Sequence, residues 1–248
     1  MSAKLPSVSL PPVDRSALLL DLDGTLVDIA PRPEAVVIDE TLPAALLALR
    51  KRLGDALAIV SGRPIEQIDA LLPDIPFAVA GEHGGAIRHA PNQQIARSIL
   101  PTPPSDWIAA ATRIVRACPG TRVESKAHGF VLHYREAPQF GAMLRDTMEP
   151  LLAGSEHFVI MPARKAWEIK PRGADKGVAV SALMQSPPFA GRVPIYIGDD
   201  VTDEDGIAAA EQLGGTGLRV PERFETASGV RAWLSRAAAS AEAAWPGL

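Results

Sequence analysis

The chain has 248 residues, with 25 Lys and Arg against 29 Asp and Glu, a formal net charge of −4, and 47% apolar to 22% charged residues. At about 150 residues per domain this length falls between one large domain and two modest ones, and the composition excludes disordered and fibrous classes. The acidic balance, with no block of Lys or Arg, excludes a surface built for nucleic acid or anionic membrane and leaves a small anionic ligand open.

The longest apolar runs, such as 17–20 and 56–60, are strand-length, far below the ~20 residues of a membrane span. Residues 1–14 lack the apolar stretch of a secretory signal. The single cysteine, Cys118, lies on the apolar stripe of a predicted helix and reads as a buried structural thiol. Cytoplasmic residence is the default expectation.

In chain order, 17–20 predicts a strand buried on both faces. Leu42, Leu46, Leu49 and Leu53 recur at helical spacing and Gly54 follows as a C-cap. Residues 57–60 predict a second strand, a helix runs to about Leu71 with Pro64 in its first turn, and 77–80 is a third strand. This βαβαβ pattern implies a parallel sheet with right-handed crossovers. Pro101-Thr102-Pro103-Pro104 reads as a linker. A helix carrying Trp107, Ile108, Ala111, Ile114, Val115 and Cys118 follows. The segments 122–126 and 130–135 alternate polar with apolar residues, a helix spans about 139–152, and 158–161 and 166–170 complete an antiparallel sheet with one wet face. After Pro171-Arg172-Gly173 the first style resumes: a helix over 176–184, a strand at 193–197, a helix through 207–213 and a short strand at 217–220. The Ala-rich stretch 237–244 reads as a surface helix. The fold class is therefore α/β: a Rossmann-like parallel-sheet core, residues 1–103 and 172–248, split by an inserted α+β module, residues 104–171.

Open parallel sheets bind ligands at the carboxyl ends of their strands. There stand Asp21-Leu22-Asp23-Gly24-Thr25, Ser61-Gly62-Arg63 and Gly198-Asp199-Asp200-Val201-Thr202-Asp203. Each alone is ordinary turn chemistry; three on one sheet edge form a cluster. Two carboxylates ~4 Å apart repel by about 4 kcal/mol at an effective dielectric near 20, so Asp21, Asp23, Asp199 and Asp200 together call for a divalent cation. All-oxygen ligands point to Mg²⁺. Ser61 and the amide of Gly62 supply phosphate-binding donors, and Lys176 adds a positive charge.

The run Asp21-Leu22-Asp23-Gly24-Thr25-Leu26 resembles the nucleophile motif of the haloacid dehalogenase superfamily of phosphatases, with Ser61, Lys176 and Asp199 in the order of its further motifs. The inserted module is similar to the cap of sugar phosphatases in that superfamily. More narrowly, Gly81-Glu82-His83-Gly84, Glu124-Ser125-Lys126, His133-Tyr134-Arg135, the run from Glu168 to Gly177 and the run from Gly198 to Glu204 resemble the motifs of the trehalose-6-phosphate phosphatase family, from about Leu18 to Val220. The loop 161–165, with Arg164, matches least well.

The resemblance implies Mg²⁺-dependent hydrolysis of a sugar phosphate, trehalose 6-phosphate, in the last step of trehalose synthesis. Asp21 is then the nucleophile that forms an aspartyl-phosphate, and Asp23 the general acid and base. Ser61 and Lys176 serve the phosphoryl group, and Mg²⁺ rests on Asp21, Asp199 and the backbone carbonyl of Asp23. Leu22, Gly24, Thr25, Gly62, Arg63, Asp200 and Asp203 surround phosphate and metal. Sugar contacts are expected from Glu82, His83, Glu124, Lys126, His133, Arg135, Glu168 and Lys170. Read from pattern alone, the charged strand faces of the module are equally a solvated sheet surface. Another sugar phosphatase on the same scaffold, and a non-catalytic phospho-aspartate module, stand as alternatives.

Overall fold

The computed structural model describes residues 8–30, 32–126, 128–163 and 165–248, and the side chain of Pro33 lies outside the description. Arg164, a doubtful match in the sequence, therefore lies outside the described residues, as do residues 1–7 of the segment read for a signal. The chain divides into two compact units, Met1–Arg97 with Asp175–Leu248, and Ser98–Ala174. The boundaries expected at 103/104 and 171/172 differ from these by six residues at the first and three at the second.

The first unit holds a seven-stranded sheet built from β1 (Ser16–Leu20), β2 (Leu57–Val60), β3 (Ala78–Gly81), β4 (Ala86–Arg88), β5 (Ala96–Arg97), β10 (Val193–Gly198) and β11 (Thr216–Arg219). The second holds a four-stranded sheet of β6 (Arg122–Lys126), β7 (Gly129–His133), β8 (Phe158–Ala163) and β9 (Ala166–Pro171). The helices are α1 (Leu42–Arg52), α2 (Ile65–Leu71), α3 (Ser105–Ala117), α4 (Gly141–Leu152), α5 (Lys176–Met184), α6 (Glu204–Gln212), α7 (Val220–Arg223) and α8 (Ala227–Ala239).

In the first unit the strand order is β11-β10-β1-β2-β3-β4-β5. The five strands from β11 to β3 are parallel, whereas β4 and β5 are antiparallel additions. The sequence reading did not contain that hairpin extension. Every residue of β1, β2 and β3 is buried, as their unbroken apolar runs require for a sheet covered on both faces. Each fully buried leucine of the Leu18-Leu19-Leu20 run contributes about 1.5–3 kcal/mol by leaving water. The chain runs outward from β1 to β2 and β3 on one side and from β10 to β11 on the other. Right-handed crossovers therefore place α1 and α2 on one face and α6 on the other. The order reverses between β1 and β10, and such a switch point opens a crevice at the carboxyl ends of the strands. Register is fixed there by Leu20 opposite Ile197, so Asp21 and Gly198 stand at the same level at the carboxyl edge.

The expected Ala-rich surface helix at 237–244 is corrected. The helix is α8, and its Val230, Trp233, Leu234 and Ala237 are buried against the core. Their i, i+3, i+4, i+7 spacing is the stripe of a helix lying on another element, here α1. Thr226 caps its start by accepting from the Gly229 amide.

In the second unit the sheet order is β6-β7-β9-β8, all antiparallel. Trp107 and Ala111 of α3 and Leu144, Met148 and Leu152 of α4 pack with Phe130, Leu132 and Ile169 in one core cluster. Cys118 is buried just past the end of α3. The single wet face expected from alternation is only partly so: β7 is buried along four of its five residues, and Glu168 and Lys170 of β9 are buried too.

Candidate active site

Asp21 follows β1 directly, and its amide donates to Ile197 O at 2.9 Å, which ties the nucleophile candidate to β10. The next turn is closed by Leu22 O, which accepts from the amides of Leu26 (2.9 Å) and Val27 (3.0 Å). The Leu22 side chain is fully buried in the core and anchors the loop. The Thr25 hydroxyl is buried with no hydrogen-bond partner among the described residues, and backbone bonds close the loop. Gly24 has φ +89°, and a Cβ there would collide with the Asp199 carboxylate. Only glycine meets both demands.

Asp199 and Asp200 follow β10, and α5 brings in Lys176 at its first turn. Asp175 caps that helix by accepting from the Val178 amide. Lys176 is 3% exposed. Its Nζ donates to Asp21 Oδ1 and to Asp203 Oδ1, each at 2.7 Å. Ligand oxygens of Asp21, Asp199 and Asp203 lie within 4.8 Å of one another. At that spacing each pair repels by about 3–4 kcal/mol at an effective dielectric near 20. With Lys176 included, the four side chains still carry two negative charges. Burial pushes the Asp21 carboxyl well above its usual range; Asp203 and Asp199 add to this and Lys176 opposes it. Burial works against the charge on Lys176, but Asp21 and Asp203 outweigh it and hold the ammonium well above its ordinary value. Burial would raise Asp200, yet the Lys176 charge and the Thr202 donors keep it low.

This donor set fits a divalent cation: hard oxygens, a charge deficit of two, and Gly24 leaving clear the approach to Asp199. Asp203 is the least suited of the three. Its Oδ1 accepts from Lys176 and from Tyr196 Oη, and its Oδ2 from the amides of Asp199 and Asp200. Four donors fill the four lone-pair positions of a carboxylate. Asp21 and Asp199 are the side chains that remain.

The Asp23 carboxylate is not in this cluster. Arg63 grips it in a two-point pair, Nε to Oδ2 at 2.6 Å and Nη2 to Oδ1 at 2.7 Å. The Arg63 guanidinium, expected in the surroundings of phosphate and metal, faces the Asp23 carboxylate. Ser61 is buried, and its Oγ accepts from the Arg63 amide at 3.2 Å, which leaves its hydroxyl proton to donate. His83 lies over Gly62 so closely that a Cβ at 62 would meet its ring. Both Glu82 and His83 adopt positive φ, 55° and 54°. The Glu82 amide donates to Arg63 O and the His83 amide to Ser61 O, while the Glu82 carboxylate bonds Arg97, which also bonds Glu66. The backbone amides of these two residues buttress the Ser61-Gly62-Arg63 turn.

In the second unit, register answers whether the charged faces coincide. Arg122 opposes His133, Glu124 opposes Val131 and Val131 opposes Glu168. Glu124, Lys126, His133, Glu168 and Lys170 thus share the sheet face opposite the helices. Lys126 Nζ bonds Glu168 Oε1 at 2.6 Å, and His133 Nε2 lies 2.7 Å from Glu124 Oε2. Lys170 Nζ donates to Ala174 O. Arg135 lies two residues beyond the end of β7 and is exposed.

Residues 19–235 match the model of the trehalose-phosphatase family. The chain belongs to that family. It is 35% identical over 204 residues to a trehalose-6-phosphate phosphatase of Escherichia coli (strain K12), covering 82% of this chain and 77% of that protein. It is 38% identical over 209 residues to a probable trehalose-phosphate phosphatase of Sinorhizobium fredii, covering 84% and 78%. Among solved structures, the C-terminal domain of a trehalose-6-phosphate phosphatase from C. albicans superposes with a TM-score of 0.72 at 22% identity, over 81% of this chain and 74% of that one. A haloacid dehalogenase-like hydrolase from Bacteroides thetaiotaomicron gives 0.59 at 15% identity, over 88% and 98%. At these identities the structures establish the shared fold. Asp203, Tyr196 and Arg63 are where the structure adds most to the sequence reading. For Asp203 the sequence suggested a residue that holds Lys176, waters or the metal ligands in place, whereas the Tyr196 hydroxyl carried no signal.

Proposed function

We propose that this chain is a Mg²⁺-dependent phosphoric monoester hydrolase that converts trehalose 6-phosphate to trehalose and phosphate. The observation that carries the reading is the buried Asp21, hydrogen-bonded to Lys176 at 2.7 Å, with Asp199 beside it at the sheet switch point. Asp21 attacks phosphorus and the sugar oxygen departs, leaving an aspartyl-phosphate. Asp23, two residues on, gives a proton to the departing oxygen. It then takes one from the water that attacks phosphorus, and Asp21 leaves as a carboxylate. For the proton to move, the two-point grip of Arg63 on Asp23 must loosen at one oxygen. Lys176 neutralises charge on Asp21 and the transferring group, and Ser61 and the Gly62 amide donate to phosphoryl oxygens. Asp21, Asp199 and the Asp23 carbonyl would hold Mg²⁺, which supplies charge neutralisation and orientation of the phosphoryl group.

The second unit is the specificity module in this reading. Glu124, Lys126, His133, Glu168 and Lys170 offer alternating acceptors and donors to a polyol, and a partly buried polar set rejects analogues that leave it unmatched. Cytoplasmic residence belongs to the same reading and rests on the buried, single Cys118. Among the described residues no helix is long and apolar enough to cross a membrane.

The test is a phosphate-release assay over a panel of sugar phosphates, with Mg²⁺ and with a chelator. Fastest release from trehalose 6-phosphate, abolished by chelation, is the expected result. A different sugar phosphate turned over more than tenfold faster would move the assignment to that ester, and undiminished release in chelator would remove the metal.

A further inference from the structure

Tyr196 is a buried aromatic residue on β10 that the mechanism above does not use. The strand sends its ring across the face covered by α6, where Gly206 makes room: a Cβ at that position would lie 2.6 Å from the ring. At the end of this path Tyr196 Oη donates to Asp203 Oδ1 at 2.7 Å, the same oxygen that accepts from Lys176 at 2.7 Å. Lys176 in turn divides itself between Asp203 and Asp21.

We propose that Tyr196 is a positioning residue for Lys176: by occupying the second lone pair of Asp203 Oδ1, its hydroxyl limits the hold of Asp203 on the ammonium and keeps Lys176 on Asp21. An oxygen shared by two donors is a weaker partner for each than an oxygen with one. The other Asp203 oxygen is committed to the Asp199 and Asp200 amides, so it offers Lys176 no alternative. Burial raises the Tyr196 hydroxyl well above its ordinary range, with the Asp203 charge adding, and the phenol remains a donor. Gly206 completes the arrangement as the small residue without which the ring would not reach. The inference rests on the reading of Asp21 as nucleophile.

The test compares Tyr196→Phe with wild type on trehalose 6-phosphate and on an aryl phosphate. Removing the hydroxyl is expected to lower kcat about tenfold on both esters, with KM and the calorimetric affinity for Mg²⁺ each within threefold of wild type. In a Lys176→Met background the same change is expected to cost less than twofold, because the residue through which Tyr196 acts is gone. Unchanged kcat in Tyr196→Phe overturns the proposal. So does a loss that persists in full in the Lys176→Met background, which would mark a general structural role. Should Tyr196→Phe not fold, Gly206→Ala displaces the ring from the other side, and the same comparisons decide. Asp21→Asn separates the two readings: if it retains turnover the nucleophile assignment fails, whereas an inactive Asp21→Asn beside a fully active Tyr196→Phe removes only the role of Tyr196.

Discussion

Asp21 and Asp23 stand two residues apart in opposite electrostatic company. Asp21 is buried against two further carboxylates and one lysine, whereas Asp23 is gripped at both oxygens by Arg63. Asp21→Asn removes one member of a mutually repelling set while Lys176 keeps Asp203. It is expected to abolish turnover yet raise the metal-free melting stability by about 1–2 kcal/mol; near-normal phosphate release from this variant would remove Asp21 as nucleophile. The Asp23–Arg63 pair is testable by a double-mutant cycle. Asp23→Asn and Arg63→Met each lower kcat, and the double variant should be little worse than Asp23→Asn, a coupling of about 1.5–3 kcal/mol. Inhibition by inorganic phosphate should be unchanged in Arg63→Met; a large loss would return Arg63 to the phosphate. The motif carboxylates were legible in the chain because each lies beside a strand end. The Arg63 pairing was not, since its partner is 40 residues away and a guanidinium beside a Ser-Gly turn suits a phosphate as well as a carboxylate.

Elements were legible in proportion to their burial. The parallel strands β1 and β2 announce themselves because both faces must be apolar, and α5 falls on the residues expected. The two- and three-residue strands β5 and β4 are too short to carry a period of two, and α8 was obscured because alanines serve core and surface alike. In the second unit, alternation revealed which residues share a strand face, but only the pairing register could bring Glu124, Lys126 and Glu168 onto one side. That face yields two predictions. Glu168→Ala should lose turnover of trehalose 6-phosphate far more than of an aryl phosphate, and equal losses would contradict a role in sugar recognition. The hydrogen bond from His133 holds the Glu124 carboxyl below its ordinary 4.5; burial opposes this and Lys126 and Arg122 assist. A carboxyl lowered by folding stabilises above the unfolded value, and that stabilisation fades as pH falls through the folded one. Thermal melts of Glu124→Gln should therefore show a flatter pH dependence below about pH 4.5 than wild type; identical slopes would deny the interaction a part in stability.

Over the whole molecule, the discontinuous first unit gathers its chemistry from both ends of the chain. A cation that binds only the folded cluster should stabilise by about 2.7 kcal/mol at a hundredfold excess over its dissociation constant. A Mg²⁺-dependent rise in melting temperature in wild type, absent from Asp199→Asn, checks this, and an undiminished rise in that variant would place the ion elsewhere. The pairing of β1 with β10 spans about 180 residues of chain. At ~5–20 residues per second of synthesis, β1 leaves the ribosome about 10–35 s before its neighbour exists. For that interval the middle one of the five parallel strands is an apolar edge with unpaired amides, the kind of surface that recruits other strands. Aggregation during expression should therefore respond to the speed of translation between residues 98 and 193, a stretch that contributes no strand to the nucleophile's own sheet.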